Sequence, residues 1–262
     1  MMRDRVSARL VGEYAATLGA WLAPVPAGTA PLGLHWCLAP ALAAQDRLGP
    51  DGHGPRVHAV DLAAYPRRMW VGGALELLAR LPLEAEVTRV STLLPLAYKT
   101  GAAGPLCLTG AAHVLSVAGD AVLRERQDIA FRGPAGAGQS AAVVEAMPPA
   151  GLEWTIATPT TLLLRYSALT FNAHRIHYDR DYARAVEGYA DLVVHGPLQA
   201  TVLLNLAATL LGQAPARFDY RATAPLLAGG GGVARGVRTP AGAELTMHDA
   251  AGGVTMRATA SR

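Results

Sequence analysis

The segment that most constrains the fold is 197-PLQATVLLNLAATLL-211, which is apolar on nearly every side. Proline suits the first position of a helix, because its missing N–H would have no partner there. Gly212 is a suitable residue to end the helix. A helix without a polar face has to be buried on most sides. The rest of the chain must therefore supply a layer that surrounds this helix.

Four strand-like segments follow the helix and can supply that layer. They are separated by the turn compositions AGGGG, PAG and AAGG, and the segments are 217–227, 233–240, 243–249 and 254–261. One buried helix followed by an antiparallel meander predicts a sheet that curls around the helix. In the segment before the long apolar helix, the spacing of apolar residues over 160–170 predicts a short helix.

The first half of the chain repeats this order in a weaker form. Four segments predict consecutive strands, namely 70–81, 85–94, 105–117 and 122–132. Ahead of them, residues 40–54 predict only a short helix or loop, and residues 1–24 predict a short amphipathic helix that ends at Pro24. The Gly- and Pro-rich stretch 133–151 predicts a linker. We therefore expect two copies of one fold, residues 1–135 and 150–262, with the first copy eroded.

Composition excludes several classes of protein. The basic residues form no run, and the net charge of the 262 residues is only +3, so we expect no nucleic-acid partner. No segment reaches the roughly 18 apolar residues that a membrane span needs. Two cysteines, Cys37 and Cys107, make neither a disulfide framework nor a cysteine-based zinc site. A reducing cytoplasm is therefore the expected location.

Polar and titratable residues gather just before the apolar helix, in 166-YSALTFNAHRIHYDRDYA-183 and 192-LVVHGP-197. Histidine exchanges protons near neutral pH. The unpaired N–H groups at the start of a helix stabilise a negative oxygen, and Gly196 would let a carbonyl approach them closely. This combination suits reversible addition of water to a double bond conjugated to a thioester.

The same segments resemble the MaoC-like, R-specific enoyl-thioester hydratase superfamily, in particular its double-hotdog branch. That branch includes hydratases of mesaconyl-C4-CoA, 3-methylfumaryl-CoA and itaconyl-CoA. The segment 65-YPRRMWVGGALEL-77 resembles the N-terminal half of the same branch. The resemblance implies an α+β double hotdog with two antiparallel sheets, each wrapped around a central helix, of which the N-terminal one is degenerate. It also implies a hydro-lyase that acts on a short branched dicarboxylic acyl-CoA and needs no cofactor or metal beyond the coenzyme A of its substrate.

Against the superfamily motif, His177 takes the histidine position and Asn172 takes the position of an aspartate. An amide orients water but cannot accept its proton. We therefore expect His177 to be the principal acid/base group, Asn172 to position water, and the Gly196 N–H to polarise the thioester carbonyl.

The second carboxylate of such a substrate would suit a fixed guanidinium. Arg175 is the first choice, with Arg67 and Arg68 in the other half as substitutes, although Arg175 could instead pair with Asp179 or Asp181. Asp179 either orients a histidine or caps the next helix. The full set of expected substrate-binding residues is Arg175, His174, Tyr178, His195, Arg67 and Trp70.

Three other functions remain open. A metalloenzyme would use His174 and His177 with Asp179 or His195. A thioesterase on the same fold would need a carboxylate-activated water, and a non-catalytic module would only bind acyl thioesters. The acyl group could be carried by coenzyme A or by a carrier protein, and the chain could form a homodimer. The stretches 51-DGHG-54 and 229-GGGG-232 are predicted to be turns.

Overall fold

The computed structural model describes residues 1–55, 64–101, 104–133, 142–144 and 151–262. The predicted linker, 133–151, lies largely outside these ranges, so the division into domains 1–135 and 150–262 stays a prediction. Within the described ranges, no helix is long and apolar enough to cross a membrane.

The N-terminal half begins with strand β1 (Met2–Arg5) and helix α1 (Ala8–Leu18), which Ser7 caps by accepting a hydrogen bond from the Leu10 N–H. The helix predicted over residues 1–24 is therefore confirmed for Ala8–Leu18, whereas Met2–Arg5 form a strand instead. Five strands follow, and the predicted ones are confirmed within a few residues: β2 Arg67–Leu77, β3 Glu86–Leu93, β4 Ala97–Gly101, β5 Gly104–Val117 and β6 Asp120–Arg132.

The C-terminal half follows the predicted order of short helix, long helix and four strands. Its elements are β7 Leu152–Ile156, α2 Thr160–Thr170, α3 Arg180–Ala185, α4 Gly196–Leu211, β8 Arg217–Ala222, β9 Gly232–Thr239, β10 Gly242–Asp249 and β11 Val254–Ser261. Gly212 ends α4 in the left-handed conformation, with φ of 74°. The first of the four strands predicted after the long helix, 217–227, is too long, because β8 ends at Ala222. Pro225 has no N–H to donate to a ladder.

All eleven strands belong to one antiparallel sheet. Their order is β1-β3-β5-β6-β2-β8-β11-β10-β9-β7, and β4 pairs with β5. The two predicted sheets are therefore the two halves of a continuous sheet. Gly72–Glu76 of β2 pair with Arg217–Arg221 of β8 at the seam.

The two halves differ in what fills the concave face of the sheet. In the C-terminal half, α4 packs against β9, β10 and β11, and most of its side chains are buried. In the N-terminal half, the described residues between α1 and β2 form only short 3₁₀ turns, including Leu34–Cys37 and Gln45–Arg47. The predicted degeneration of the N-terminal helix is confirmed, and it leaves room for a cleft.

Candidate active site

The polar cluster lies on a loop that starts where α2 ends. Phe171 adopts the left-handed conformation, with φ of 50°, and the Asn172 N–H donates to the Ser167 carbonyl at 2.9 Å. The Asn172 Oδ1 atom then accepts the His174 N–H at 2.9 Å. The side-chain oxygen of Asn172 is therefore used to shape the loop, and its amide N–H₂ group remains for other partners.

His177 is buried on a 3₁₀ turn, Arg175–His177. Its Nδ1 atom lies 2.7 Å from the Val193 carbonyl oxygen. A carbonyl only accepts, so Nδ1 carries the hydrogen and Nε2 keeps the lone pair. Burial lowers the pKa of His177 to about 4, although the bond to Val193 opposes this shift. The neutral ring is thus a proton acceptor at physiological pH.

His195 immediately precedes α4 and stacks on His177, with ring centroids 3.6 Å apart and planes 19° apart. Its Nε2 atom shares a 2.8 Å hydrogen bond with the Ser167 hydroxyl. Its Nδ1 atom is buried and has no hydrogen-bond partner among the described residues. Burial, together with the neighbouring histidines, lowers the pKa of His195 well below its usual value. His195 therefore supports His177 and the start of the helix as a neutral ring.

The start of α4 is packed against Trp70 of β2. A Cβ atom on Gly196 would collide with the Trp70 ring, which itself stacks on Tyr220 at 4.8 Å. No side chain caps this end of α4, and no acidic residue lies in its first turn. The N–H groups there are thus available to an external oxygen. The Trp70 indole N–H is also buried without a described partner.

His174 lies under the loop, 5.5 Å from the His177 ring and 4.3 Å from the His53 ring. Burial lowers its pKa to about 2, and its Nε2 atom has no partner in the described part of the chain. His53 comes from the 51–54 turn of the N-terminal half. Sequence reasoning predicted that turn correctly but gave it no part in the site.

The guanidinium of Arg175 is bound to other groups of the protein. Its guanidinium donates to the Asp179 carboxylate at 2.7 and 3.0 Å and to the Pro50 carbonyl at 2.9 Å, and it lies over the Tyr182 ring. It is not among the residues that line the cleft. The alternative, in which Arg175 pairs with Asp179, is the one observed, and the geometry gives no support to a role in binding a substrate carboxylate.

Asp179 caps α3 by accepting the Tyr182 N–H at 3.0 Å, which was the second of its two predicted roles.

The residues predicted for a metalloenzyme, His174 and His177 with Asp179 or His195, do not converge on one point. His177 and His195 stack face to face, and Asp179 is bound to Arg175. Among the described residues, the group whose metal-ligating atoms lie within 4.8 Å of one another is instead Asp51, His53 and His174. There the Asp51 carboxylate and the His53 ring already bond to each other.

Three expected binding residues line the cleft from its sides. Arg67 is buried against Glu187, with 2.9 Å between Nε and Oε2. Tyr178 is exposed at the rim, where its hydroxyl donates to the Ala173 carbonyl. Arg68 also lines the cleft and follows Arg67 on β2.

The cleft, of about 2730 Å³, brings both halves of the chain together. Asn172, His174, His177 and Gly196 line it from the C-terminal half, and Trp70 lines it from the N-terminal half. A proton acceptor thus lies beside an uncapped helix start that can hold a developing oxyanion. That pair of features suits chemistry at the carbon atoms next to a thioester carbonyl.

Sequence reasoning missed two kinds of partner in this site. The Val193 carbonyl, which fixes the His177 tautomer, is a backbone group that no sequence motif marks. Asp51 and His53 carried a weak signal, an Asp-x-His pattern between glycines, but only the fold brings them to the loop at Ala173–Arg175.

The fold and the histidine-lined helix start define the class, a MaoC-like protein with a double hotdog. The profile of the family described as hydroxyacyl-thioester dehydratase type 2 matches residues 33–228. The chain therefore belongs to that family. A mesaconyl-C(4)-CoA hydratase of Chloroflexus aurantiacus is 37% identical over 194 residues, which cover 73% of this chain and 69% of that protein.

Solved structures support the fold independently. HtdX of Mycobacterium tuberculosis superposes with a TM-score of 0.71 at 14% identity, covering 100% of this chain and 99% of HtdX. Another protein of M. tuberculosis, described as a double hotdog, gives a TM-score of 0.55 at 13% identity over 99% of this chain and 93% of that one. The predicted α+β double hotdog is confirmed, as is the predicted superfamily.

Proposed function

We propose that the protein catalyses the reversible hydration of an enoyl-CoA thioester, and that the acyl group is short, branched and dicarboxylic. The observation that carries the proposal is the neutral His177 ring, whose Nδ1–H is held by Val193 while Nε2 keeps its lone pair, in the cleft that Gly196 also lines. Its family is named for a dehydratase, the reverse reaction.

The reaction begins with the thioester carbonyl at the start of α4. The Gly196 N–H and the helix dipole draw electron density onto the carbonyl oxygen. The β-carbon becomes electrophilic, and a water oxygen bonds to it while His177 Nε2 accepts one water proton. The amide N–H₂ group of Asn172 donates to the water oxygen and orients it. This addition turns the double bond into an enolate, whose negative oxygen lies at the helix start. The enolate electron pair then takes up a proton at the α-carbon and the thioester carbonyl re-forms, so that one water has been added across the double bond.

The second carboxylate of the acyl group binds Arg68. Alternate residues of a strand point to the same face of a sheet, so Arg68 lies on the same side of β2 as Trp70, which contacts Gly196. The 37% identity to a mesaconyl-C(4)-CoA hydratase favours a dicarboxylic acyl group. Arg67 is the weaker candidate, because as the neighbouring residue of β2 it lies on the opposite face of the strand from Trp70.

The reaction uses no cofactor beyond the coenzyme A of the substrate, since both proton transfer and carbonyl polarisation are supplied by the chain. Both cysteines are buried and unbonded, which supports a reducing cytoplasmic location. Two hotdog halves are already paired within one chain, so a homodimer is not needed to build the site. Light scattering would measure whether one forms.

The test is loss of the ultraviolet absorbance of the conjugated enoyl thioester. Crotonyl-CoA, mesaconyl-C4-CoA and itaconyl-CoA are each incubated with the wild type, with His177→Ala and with the control His248→Gln. His248 is a buried histidine outside the cleft, bonded to Gly252 and Thr246. We expect His177→Ala to lower kcat about 100-fold or more and the control to leave it unchanged. Free thiol release without loss of the double bond would instead identify a thioesterase.

The same assay separates the two arginines. Arg68→Gln should raise KM about 10-fold or more for mesaconyl-C4-CoA and little for crotonyl-CoA, because the loss of one charge-assisted pair costs about 1.5–3 kcal/mol. Arg175→Gln should not discriminate between these two thioesters. A folded wild type that consumes none of the three would favour a module that only binds acyl thioesters.

A further inference from the structure

A turn of the N-terminal half docks onto the histidine loop. The Arg175 N–H donates to the Asp51 carbonyl at 2.9 Å, and the Arg175 side chain donates to the Pro50 carbonyl at the same distance. Gly52 has φ of 87°, and a Cβ atom there would collide with the Ala173 carbonyl. The turn is thus fixed against the loop by backbone contacts that do not involve the side chains of Asp51 and His53.

Within the turn, Asp51 and His53 form a carboxylate–imidazole pair. The His53 N–H donates to Asp51 Oδ1 at 3.0 Å, and the His53 Nδ1 atom donates to Oδ2 at 3.2 Å. Burial alone would raise the pKa of Asp51, but the bonds from His53 and its charge lower that pKa to about 2. The Asp51 carboxylate therefore fixes the orientation of the His53 ring through Nδ1, and Nε2 is left for the cleft that His53 lines.

No other carboxylate reaches the reacting end of the cleft in the part of the chain that the structure describes. The acidic residues that line it are Asp128 and Asp219. Both are 38% exposed and are bound to Arg126 and Arg217, respectively. Asn172 stands where the superfamily motif has an aspartate. The Asp51–His53 pair therefore presents to this cleft an imidazole that is bound to a carboxylate.

We propose that His53, held by Asp51, is a second catalytic acid/base residue, which exchanges a proton with the substrate α-carbon while His177 serves the water at the β-carbon. The inference rests on the proposed hydratase function. Both rings lie close to the His174 ring, with centroid distances of 4.3 Å from His53 and 5.5 Å from His177. They can therefore serve neighbouring carbons of one substrate.

The protons balance over one turnover. In hydration, His177 Nε2 takes a proton from water as the oxygen bonds to the β-carbon and the double bond becomes an enolate. The protonated His53 ring then gives its Nε2 proton to the α-carbon, and the enolate electron pair forms the new C–H bond. His177 returns its proton to His53 through solvent. One water is added, no net proton is consumed, and dehydration runs the same steps backwards.

The experiment compares the wild type with His53→Gln, His53→Ala, Asp51→Asn and the control His248→Gln, on whichever enoyl-CoA the wild type hydrates. We expect His53→Gln to lower kcat about 100-fold with KM changed less than about 3-fold. Added imidazole should restore part of the activity of His53→Ala. Asp51→Asn should also lower kcat with KM little changed, because it removes the carboxylate that holds the His53 ring. Circular dichroism checks that each variant is folded.

Two results would overturn the inference while the hydratase function stands. One is an active wild type whose His53 variants keep its kcat. The other is loss of wild-type activity on treatment with a chelator and its recovery with zinc, which would make Asp51, His53 and His174 a metal site. A wild type that hydrates no enoyl-CoA would overturn both the inference and the function on which it rests.

Discussion

At the scale of single residues, Gly196 shows how one missing side chain shapes the site. The Trp70 ring occupies the space where any Cβ atom would lie. The ring can therefore cover the start of α4 while the helix N–H groups stay uncapped. Glycine is needed here for close approach and not for its backbone freedom, because Gly196 does not have a positive φ.

Gly196→Ala should damage both stability and turnover. The added methyl group has to displace Trp70 or the helix, and overpacking of this kind costs about 1–3 kcal/mol. Turnover should fall about 10-fold or more, because the N–H groups at the start of α4 would be displaced from the thioester carbonyl of the substrate. Urea unfolding and the enoyl-CoA assay measure the two effects.

Gly12→Ala provides the matched control for that substitution. Gly12 lies inside α1, and a Cβ atom there would meet nothing within 4 Å. The same change should stabilise the protein by up to about 1 kcal/mol, because alanine favours the helix. If Gly196→Ala behaves like Gly12→Ala, the packing of Trp70 on the helix start does not matter to the protein.

The sequence predicted candidate residues of the C-terminal half, but not all of the partners that the structure gives them. His177, Asn172 and Gly196 were selected from two nearby segments, 166–183 and 192–197, and all three line the cleft. His53 and Asp51 are more than a hundred positions away in the chain. Their approach depends on how the 49–54 turn docks, which no local pattern encodes. For Arg175 the sequence left two roles open, and the structure shows the pair with the nearby Asp179.

At the scale of elements, the predictable strands are those in the interior of the sheet. Their apolar alternation comes from burial against a helix or against the cleft. The strands that were missed are β1, β4 and β7. Strands β1 and β7 are the two ends of the sheet order, and β4 pairs only with β5. Edge strands carry polar residues and are short, so they give a weak sequence signal.

A buried ion pair joins β2 to the segment that follows α3. Arg67 and Glu187 are only 11% and 5% exposed. Glu187→Ala should lower the free energy of unfolding by about 3–5 kcal/mol, because the remaining arginine would be buried without its partner. Asp219→Ala, which breaks the exposed pair with Arg217, should cost less than about 1 kcal/mol. Equal losses in urea unfolding would contradict a special role for the buried pair.

At the scale of the whole molecule, the buried histidines make stability depend on pH. Burial lowers the pKa of His35 to about 3, of His113 and His177 to about 4, and of His174 to about 2. It also lowers the pKa of His195 well below its usual value. The unfolded chain takes up protons on these rings below about pH 6.5, whereas the folded chain does not. Stability should therefore be complete above that pH and fall as the pH decreases.

Between pH 7.5 and pH 5.5, each such histidine should cost about 1.4 kcal/mol of unfolding free energy. Urea unfolding at the two pH values measures the sum. His35→Gln should reduce the difference in unfolding free energy between the two pH values by about 1.4 kcal/mol, even if the substitution also changes stability at each pH. A difference below about 1 kcal/mol for the wild type would show that these rings titrate in the folded protein as they do in water.

The seam between β2 and β8 has a consequence for synthesis of the chain. Strand β2 can pair with β6 as soon as the N-terminal half has left the ribosome, but Gly72–Glu76 on its other side must wait for Arg217–Arg221. A nascent chain in that interval presents an open strand edge, which is a template for pairing with another copy. If translation is slowed or interrupted between the two strands, the incomplete chain should therefore aggregate and should not fold as an independent N-terminal half.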